Sequence, residues 1–247
     1  MMGAMMGSSE QIAKSMQDEL KKKAAMAAVE QVADHSVVGL GSGSTLAFFI
    51  HELGRRVREG KLHVVGVPTS FQARMIAAEY GMTIRDPMEV SQVDLAVDGA
   101  DEVDPKGNLI KGAGAAHVME KIVAAMAKRF IVIVDESKIV NALSEKFAVP
   151  LEVVSAAMSS SMRRLREMGA EPVVRTGTGK MGPVISDFGN LIIDAKFKGI
   201  PDPAKLDVEL NCIPGVVGHG LFIGMASQVI IAKMGNNIPS LDIRNFR

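Results

Sequence analysis

The chain has 247 residues, 47% of them apolar and 23% charged, which suits one large domain or a medium domain carrying a smaller one. Its 28 basic residues balance its 28 acidic ones, and with one tyrosine and no tryptophan it lacks the basic, aromatic surface of a nucleic-acid binder. Cys212 is the only cysteine, so no intrachain disulfide can form and a reducing compartment, the cytoplasm, is the expected address. No membrane contact is expected, because the longest apolar stretch, residues 221–234, is broken by Gly224, Ser227, Gln228 and Lys233. The first nine residues have no signal-peptide architecture and read as a loose tail.

Residues 17–32 read as a helix with Leu20, Ala24, Ala27 and Ala28 on one stripe and Lys21, Lys22 and Lys23 around it. A short apolar strand at 36–40 runs into glycine, and a helix follows at 44–57. A second buried strand at 62–67 leads to a helix at 70–80, and a third strand falls at 94–97. Residues 115–128 form a helix carrying Glu120, and 130–134 (FIVIV) form a fourth strand. Continuous β-branched runs separated by helices indicate a mostly parallel, Rossmann-like α/β sheet with helices on both faces. Each run passes at once into small or polar residues: GSGST, PTS, DGADE, DESK. In such sheets ligands bind at the carboxyl ends of the strands, where these four segments would gather.

After Pro150 the rhythm changes. A strand at 151–154, helix at 156–168, strands at 172–175 and 191–196, helix at 203–211 and strand at 216–217 spell a ferredoxin-like α+β unit. Turn-rich segments at 176–182 and 199–203 punctuate it. The expected division is a Rossmann-like catalytic domain over 1–148, rejoined by 219–247 through an element at 228–234, and a smaller domain over 149–218.

Glycines at 39, 41 and 43, between a strand and a helix, leave backbone N–H groups open at the positive end of that helix. Ser42, Ser44 and Thr45 add hydroxyl donors, which together suit a phosphate; the alternative is a turn that only brings helix and strand together. Neither the dinucleotide fingerprint nor the Walker pattern is matched, since Ser44 stands where the former needs glycine or alanine and no Gly-Lys-Ser/Thr follows. Asp98, Asp101, Glu102 and Asp104 crowd four carboxylates into seven residues, where like charges raise one another's proton affinity. A solvated acidic turn and a Mg²⁺ or Ca²⁺ site are the competing interpretations. Lys111 follows thirteen residues after Asp98, in the glycine-rich turn KGAG.

In the next helix Met119, Ile122 and Met126 mark an apolar side, with Glu120 beside it in line with Ala116, Val123, Ala124 and Ala127. A glutamate there has a task or is half exposed beside a lysine. His117 falls elsewhere, with Lys121 and Lys128, and reads as a surface residue. Lys138, just beyond a strand end, completes an anion site or is a solvated loop charge.

Taken together, GSGST at 41–45, DGADE at 98–102, KGAG at 111–114, EKIV at 120–123 and VDESK at 134–138 resemble, in order and spacing, the ribose-5-phosphate isomerase type A family. The resemblance runs from about residue 17 to 234, and GVVGHGLF at 215–222 is similar to the family's late segment. It implies interconversion of ribose 5-phosphate and ribulose 5-phosphate in the non-oxidative pentose phosphate pathway, without metal or organic cofactor, by a homodimer or homotetramer. Ser42, Gly43, Ser44 and Thr45 would hold the substrate, with the phosphate near Ser44, Thr45 and Lys138, and Lys21 as a further phosphate contact. Asp98 and Asp101 would meet the sugar hydroxyls and assist ring opening, Lys111 would steady the oxyanion, and Glu120 would be the base. Gly99, Ala100, Gly112, Ala113 and Gly114 would complete the substrate contacts.

Two positions depart from the family pattern. Ala113 replaces a glycine, which a negative φ would tolerate, and Met119 stands where an arginine is common, removing a charge. The chemistry fits independently, since one mobile carboxylate can take and return a proton beside a carbonyl while a cation holds the oxyanion. A remote phosphate grip holds the reacting carbons in place. Competing readings are a sugar-phosphate sensor in a transcriptional regulator, and a related deaminase or CoA transferase.

Overall fold

The computed structural model describes residues 2–179, 181–235 and 238–246, with side chains from residue 14 onward. Helix α1 (Met2–Val29) leads into β1 (Val37–Leu40), α2 (Ser44–Arg58), β2 (Val65–Pro68), α3 (Phe71–Glu79), β3 (Thr83–Ile84) and β4 (Val93–Asp98). Two short strands, β5 (Glu102–Val103) and β6 (Leu109–Ile110), precede α4 (His117–Met126) and β7 (Ala127–Asp135). Then come β8 (Val149–Val153), α5 (Met158–Glu167), β9 (Glu171–Val174), β10 (Leu191–Lys196), α6 (Pro203–Asn211) and β11 (Val216–His219). The chain closes with β12 (Leu221–Phe222), β13 (Gln228–Gly235) and β14 (Ile238–Asn245).

The main sheet has the order β14-β13-β7-β4-β1-β2-β3 and is parallel except for the edge strand β14. Strand alternation divides it between two cores. Val38, Leu40, Leu95, Val97, Ile131 and Ile133 face α1, α2 and α3, while Ala96, Val132, Val134, Val229 and Ile231 face α4 and Phe222. The fold is therefore α/β with helices on both faces. Ile133 is fully buried, and truncating it to alanine would cost about 2–5 kcal/mol through lost transfer energy and a cavity. Gly39 lets α4 seat closely on β1, because a Cβ there would lie 2.6 Å from Val123 Cγ1.

A second, antiparallel sheet has the order β11-β8-β10-β9 and is covered by α5 and α6 through Leu165, Leu206 and Leu210, which is the ferredoxin-like arrangement. The third sheet, β12-β6-β5, joins the two bodies. Ile110 and Leu221 pack into the core of the small sheet, and their neighbours Leu109 and Phe222 pack into that of the large one.

Several elements differ from expectation. Residues 2–9 are not a loose tail but the first turns of α1, where three methionines and an alanine accompany Gly3 and Gly7. The strand expected at 62–67 forms at Val65–Pro68, paired with β1 from Val37 to Leu40. No loop separates α4 from β7: the helix caps at Ala127, where the strand begins. Strands β3, β5, β6 and β12 are two residues long, too short for a periodicity to register, and β14 was not foreseen.

Candidate active site

In the main sheet the chain runs from β1 toward β2 on one side and from β4 toward β7 on the other, so β1 and β4 flank the switch point where α/β sheets open a crevice. Two sequence-selected segments meet there. Gly41 N–H donates to Val97 O at 2.9 Å, and a Cβ on Gly41 would lie 2.3 Å from Asp98 Cγ, so only glycine leaves room for that carboxylate. Asp98 Oδ1 accepts from the N–H of Ser42 (3.1 Å) and of Gly99 (2.7 Å). Gly43, at φ 97, turns the chain into α2 and aims the helix N-terminus at a cavity of about 180 Å³. Ser42, Gly43, Ser44 and Thr45 line this cavity, with Leu46 behind them. The turn is braced by Thr69, whose hydroxyl is 2.8 Å from that of Ser42, and by Gln72 Oε1, which accepts from Gly43 N–H at 3.1 Å.

The four carboxylates after β4 do not act as a cluster. Glu102, fully buried, accepts backbone N–H groups from Ser144 (2.6 Å), Lys146 and Phe147 (2.7 Å), and so closes a loop. Asp104 accepts from Lys106 N–H (2.8 Å), Asn108 N–H (2.9 Å) and Asn108 Nδ2 (2.9 Å), which folds the turn before β6. Neither is a solvated charge, and both are occupied by donors that a cation would have to displace. Only Asp98 and Asp101 turn to the cavity. Asp101 lines it and accepts Ala113 N–H at 2.9 Å; Asp98 lies just beneath. The proton affinity of Asp98 is raised, but by burial rather than by crowding among like charges, with Lys111 opposing it.

Lys111 reaches between three partners. Its Nζ donates to Gly99 O at 2.8 Å and lies 3.0 Å from Asp98 Oδ2 and 3.1 Å from Glu120 Oε2. Burial pushes the ammonium toward neutrality, yet the charges of Asp98 and Glu120 outweigh this and hold it above the ordinary lysine range. Glu120 is 6% exposed, and its Oε2 faces the Lys111 ammonium. Burial first, then the charge of Asp98, lifts its pKa to about 7 against the pull of Lys111. A carboxyl group so placed is partly protonated near neutrality and can both take and give a proton.

The inward face of α4 is His117, Glu120, Val123 and Ala124, not the methionine side; Ile122 is exposed and Met119 and Met126 are half-buried. His117 is therefore no surface residue. It lies under the glycine turn, where a Cβ on Gly112 would come within 2.7 Å of its Nδ1. Burial, with the charges of Lys121 and Arg175 adding, pushes its pKa down to about 3 and keeps the imidazole neutral.

Gly99, Ala100, Gly112, Ala113, Gly114 and Lys138 also line the cavity. The Lys138 ammonium lies 4.9 Å from the centre of the Phe147 ring. Lys21 is not among the lining residues: it sits on α1 with its Nζ 3.6 Å from Asp18 Oδ1. Ala113 does not have a positive φ, so its methyl group is accommodated; Ala115, at φ 60, carries the left-handed turn instead. Met119 borders a neighbouring depression with Thr69, Phe71, Arg74 and Phe188. Thr69 lies within the PTS segment that marked a strand end, and Gln72 lies two residues beyond it. Arg175, which donates to the carbonyl oxygens of Gly112 and Ala113 at 2.9 Å each, carried no signal in sequence.

An α/β sheet that gathers a partly protonated buried carboxyl group, a paired ammonium and a helix N-terminus at its carboxyl edge defines an acid–base enzyme for a small anion. The sequence pattern of the ribose 5-phosphate isomerase A (phosphoriboisomerase A) family matches residues 65–236. The ribose-5-phosphate isomerase A of Methanothermobacter thermautotrophicus is 54% identical over 211 residues, covering 85% of this chain and 92% of that protein. That of Thermosynechococcus vestitus is 47% identical over 224 residues, covering 90% and 95%. A D-ribose-5-phosphate isomerase solved in complex with phospho-erythronic acid is similar at a TM-score of 0.88 and 46% identity, over 92% of this chain and 99% of that one. The chain belongs to the ribose 5-phosphate isomerase A family.

Proposed function

We propose that this protein interconverts D-ribose 5-phosphate and D-ribulose 5-phosphate by proton transfer through an enediolate. The observation that carries the reading is the buried Glu120–Lys111–Asp98 group facing the N-terminus of α2 across one small cavity. The phosphate takes the N–H groups and hydroxyls of Ser44 and Thr45 with the ammonium of Lys138, and fixes the far end of the sugar. Lys21, on α1 and outside the cavity lining, is proposed as a further phosphate contact. Ser42, Gly43, Gly99 and Ala100 floor the cavity, and Asp101, with Asp98 behind it, meets the hydroxyls whose proton movements open the ring.

With the chain form bound, Glu120 takes the proton from C2 and the electron pair moves into the C1 carbonyl. The oxyanion at O1 is met by Lys111 Nζ and by the backbone of the Gly112-Ala113-Gly114 turn. Glu120 then returns its proton to C1 while the hydroxyl proton passes from O2 to O1, leaving the carbonyl at C2. One relative is solved with phospho-erythronic acid, whose carboxylate and phosphate place two anionic groups on one short sugar, as the enediolate of a sugar phosphate does.

The reading uses no metal or organic cofactor, because Lys111 supplies the positive charge, and prolonged EDTA treatment is expected to leave turnover unchanged. Residues 149–218 form the smaller domain in this reading, and 1–148 with 219–247 the catalytic one. The assembly is a homodimer or homotetramer, supported by the exposed apolar side chains of Phe71, Met75 and Met88, and light scattering checks it. Among the described residues no helix is long and apolar enough to cross a membrane, and the unpaired Cys212 suits a cytoplasmic location. The deciding assay mixes the protein with ribose 5-phosphate and follows ketose formation; no ketose overturns the reading.

A further inference from the structure

We propose that Arg175 is a positioning residue for the reaction, gripping the Gly112-Ala113-Gly114 turn from behind so that its N–H groups face the substrate oxyanion. The inference rests on the isomerase reading and deepens it by adding a residue of the small sheet to the site.

Arg175 follows β9, and its own backbone is pinned by a bond from its N–H to Ile192 O (2.8 Å) and by Val184 N–H donating to its carbonyl (2.8 Å). Asp194 on β10 holds the guanidinium in a two-point fork, with Nε to Oδ2 at 2.8 Å and Nη2 to Oδ1. That fork fixes the plane of the group and leaves Nη1 to donate to both Gly112 O and Ala113 O at 2.9 Å.

The consequence follows from peptide geometry. In a planar trans peptide the N–H points away from the C=O, and no peptide among the described residues is cis. Two carbonyls turned toward Arg175 therefore turn the N–H groups of Ala113 and Gly114 the other way, toward the cavity. Ala113 N–H donates to Asp101 Oδ2 at 2.9 Å, while Gly114 N–H meets no acceptor among the described residues. A cation bonded to the carbonyl end of a peptide polarises it and strengthens the N–H at the other end. Gly112, at φ 109, lets the turn adopt this orientation, and Arg175 and Asp101 hold it from opposite sides.

The test compares wild type, Arg175→Ala, Arg175→Lys and Asp194→Asn by melting temperature and by kcat, KM and pH profile with ribose 5-phosphate. Losing a group that aims oxyanion donors should lower kcat about tenfold to a hundredfold. KM should change less than kcat, since the phosphate contacts are untouched, and the acid limb set by Glu120 should stay in place. Free guanidinium at non-denaturing concentration should restore part of the Arg175→Ala rate. Lysine cannot hold the fork and both carbonyls together, so Arg175→Lys should be folded and slow, and Asp194→Asn should fall between it and wild type. A folded Arg175→Ala or Arg175→Lys protein with wild-type kcat overturns the proposal, as does a rate loss that free guanidinium leaves untouched. Wild-type protein without turnover would instead overturn the isomerase reading, and this proposal with it.

Discussion

The two ends of the cavity bind charge by opposite means. At one end Lys111, Asp98 and Glu120 are buried together, and the proton affinity of each is shifted by burial and by at least one of the other two. At the other, a helix N-terminus and the half-exposed Lys138 offer hydrogen-bond donors. Burial makes charge reactive at the first end because it lifts the Glu120 carboxyl group toward neutrality there. In the proposed reaction the second end, open to solvent, is the grip on the phosphate. The difference separates rate from affinity, and mutations at the two ends should divide kcat from KM.

The largest effect is expected from Glu120→Gln, which keeps the shape and removes the base. Its kcat should fall about a hundredfold to ten-thousandfold with KM much less altered, as steady-state kinetics on ribose 5-phosphate will show. A mutant with near-normal kcat would transfer the role of base to Asp101 or Asp98. Lys111→Met comes next: kcat should fall about a hundredfold as the oxyanion loses its cation. Because Lys111 draws the Glu120 pKa down, its loss should also move the acid limb of kcat/KM from about 7 to higher pH. A limb that moves down would break the assignment.

At the grip end, Lys138→Ala should raise KM more than tenfold, about 1.4 kcal/mol or more of charge-assisted binding, and leave kcat nearly intact. Lys21→Ala, outside the cavity lining, should have the smaller effect of the two; a reversal of that order would place the phosphate nearer α1. The smallest effect is on stability. The folded pKa of Glu120 lies above the unfolded 4.5, so its contribution is fully present below pH 4.5 and is lost as pH rises through about 7. Glu120→Gln removes this dependence. Its melting temperature relative to wild type should therefore climb between pH 5 and 8, measured by thermal unfolding in matched buffers.

How much of this was legible in the sequence depended on how local the cause was. The glycines at 41 and 43 and the aspartate at 98 mark strand ends whatever the rest of the chain does, and the sheet brought them together. Nothing local distinguishes Asp98 from Glu102, by contrast, because their fates are decided by the two-residue pairing of β5 with β6 and by a loop more than forty residues away. Helix α4 misled for a related reason. Its methionines suggested the core side, but the face it buries closes over the site and must admit His117 and Glu120, so apolar residues were left outside. The strand β14 contains Pro239 and alternates weakly, as an edge strand is free to do. Arg175 was beyond reach because its partners, the carbonyls of Gly112 and Ala113, are 63 and 62 residues away and belong to another sheet's loop.

The absence of any loop between α4 and β7 has a stereochemical consequence. Helix and strand share a junction at Ala127, and the strand is locked between β4 and β13, so α4 cannot slide across the sheet during turnover. In the proposed reaction, the motion that carries the Glu120 carboxyl group from one carbon to the next then comes from its own side-chain torsions. A base tethered in this way serves a single face of the planar enediolate. The hydrogen removed from one carbon and the hydrogen delivered to its neighbour then lie on the same side of the sugar chain. At C1 of the returning aldehyde, only one of the two mirror-related positions of the ketose CH₂ is ever emptied.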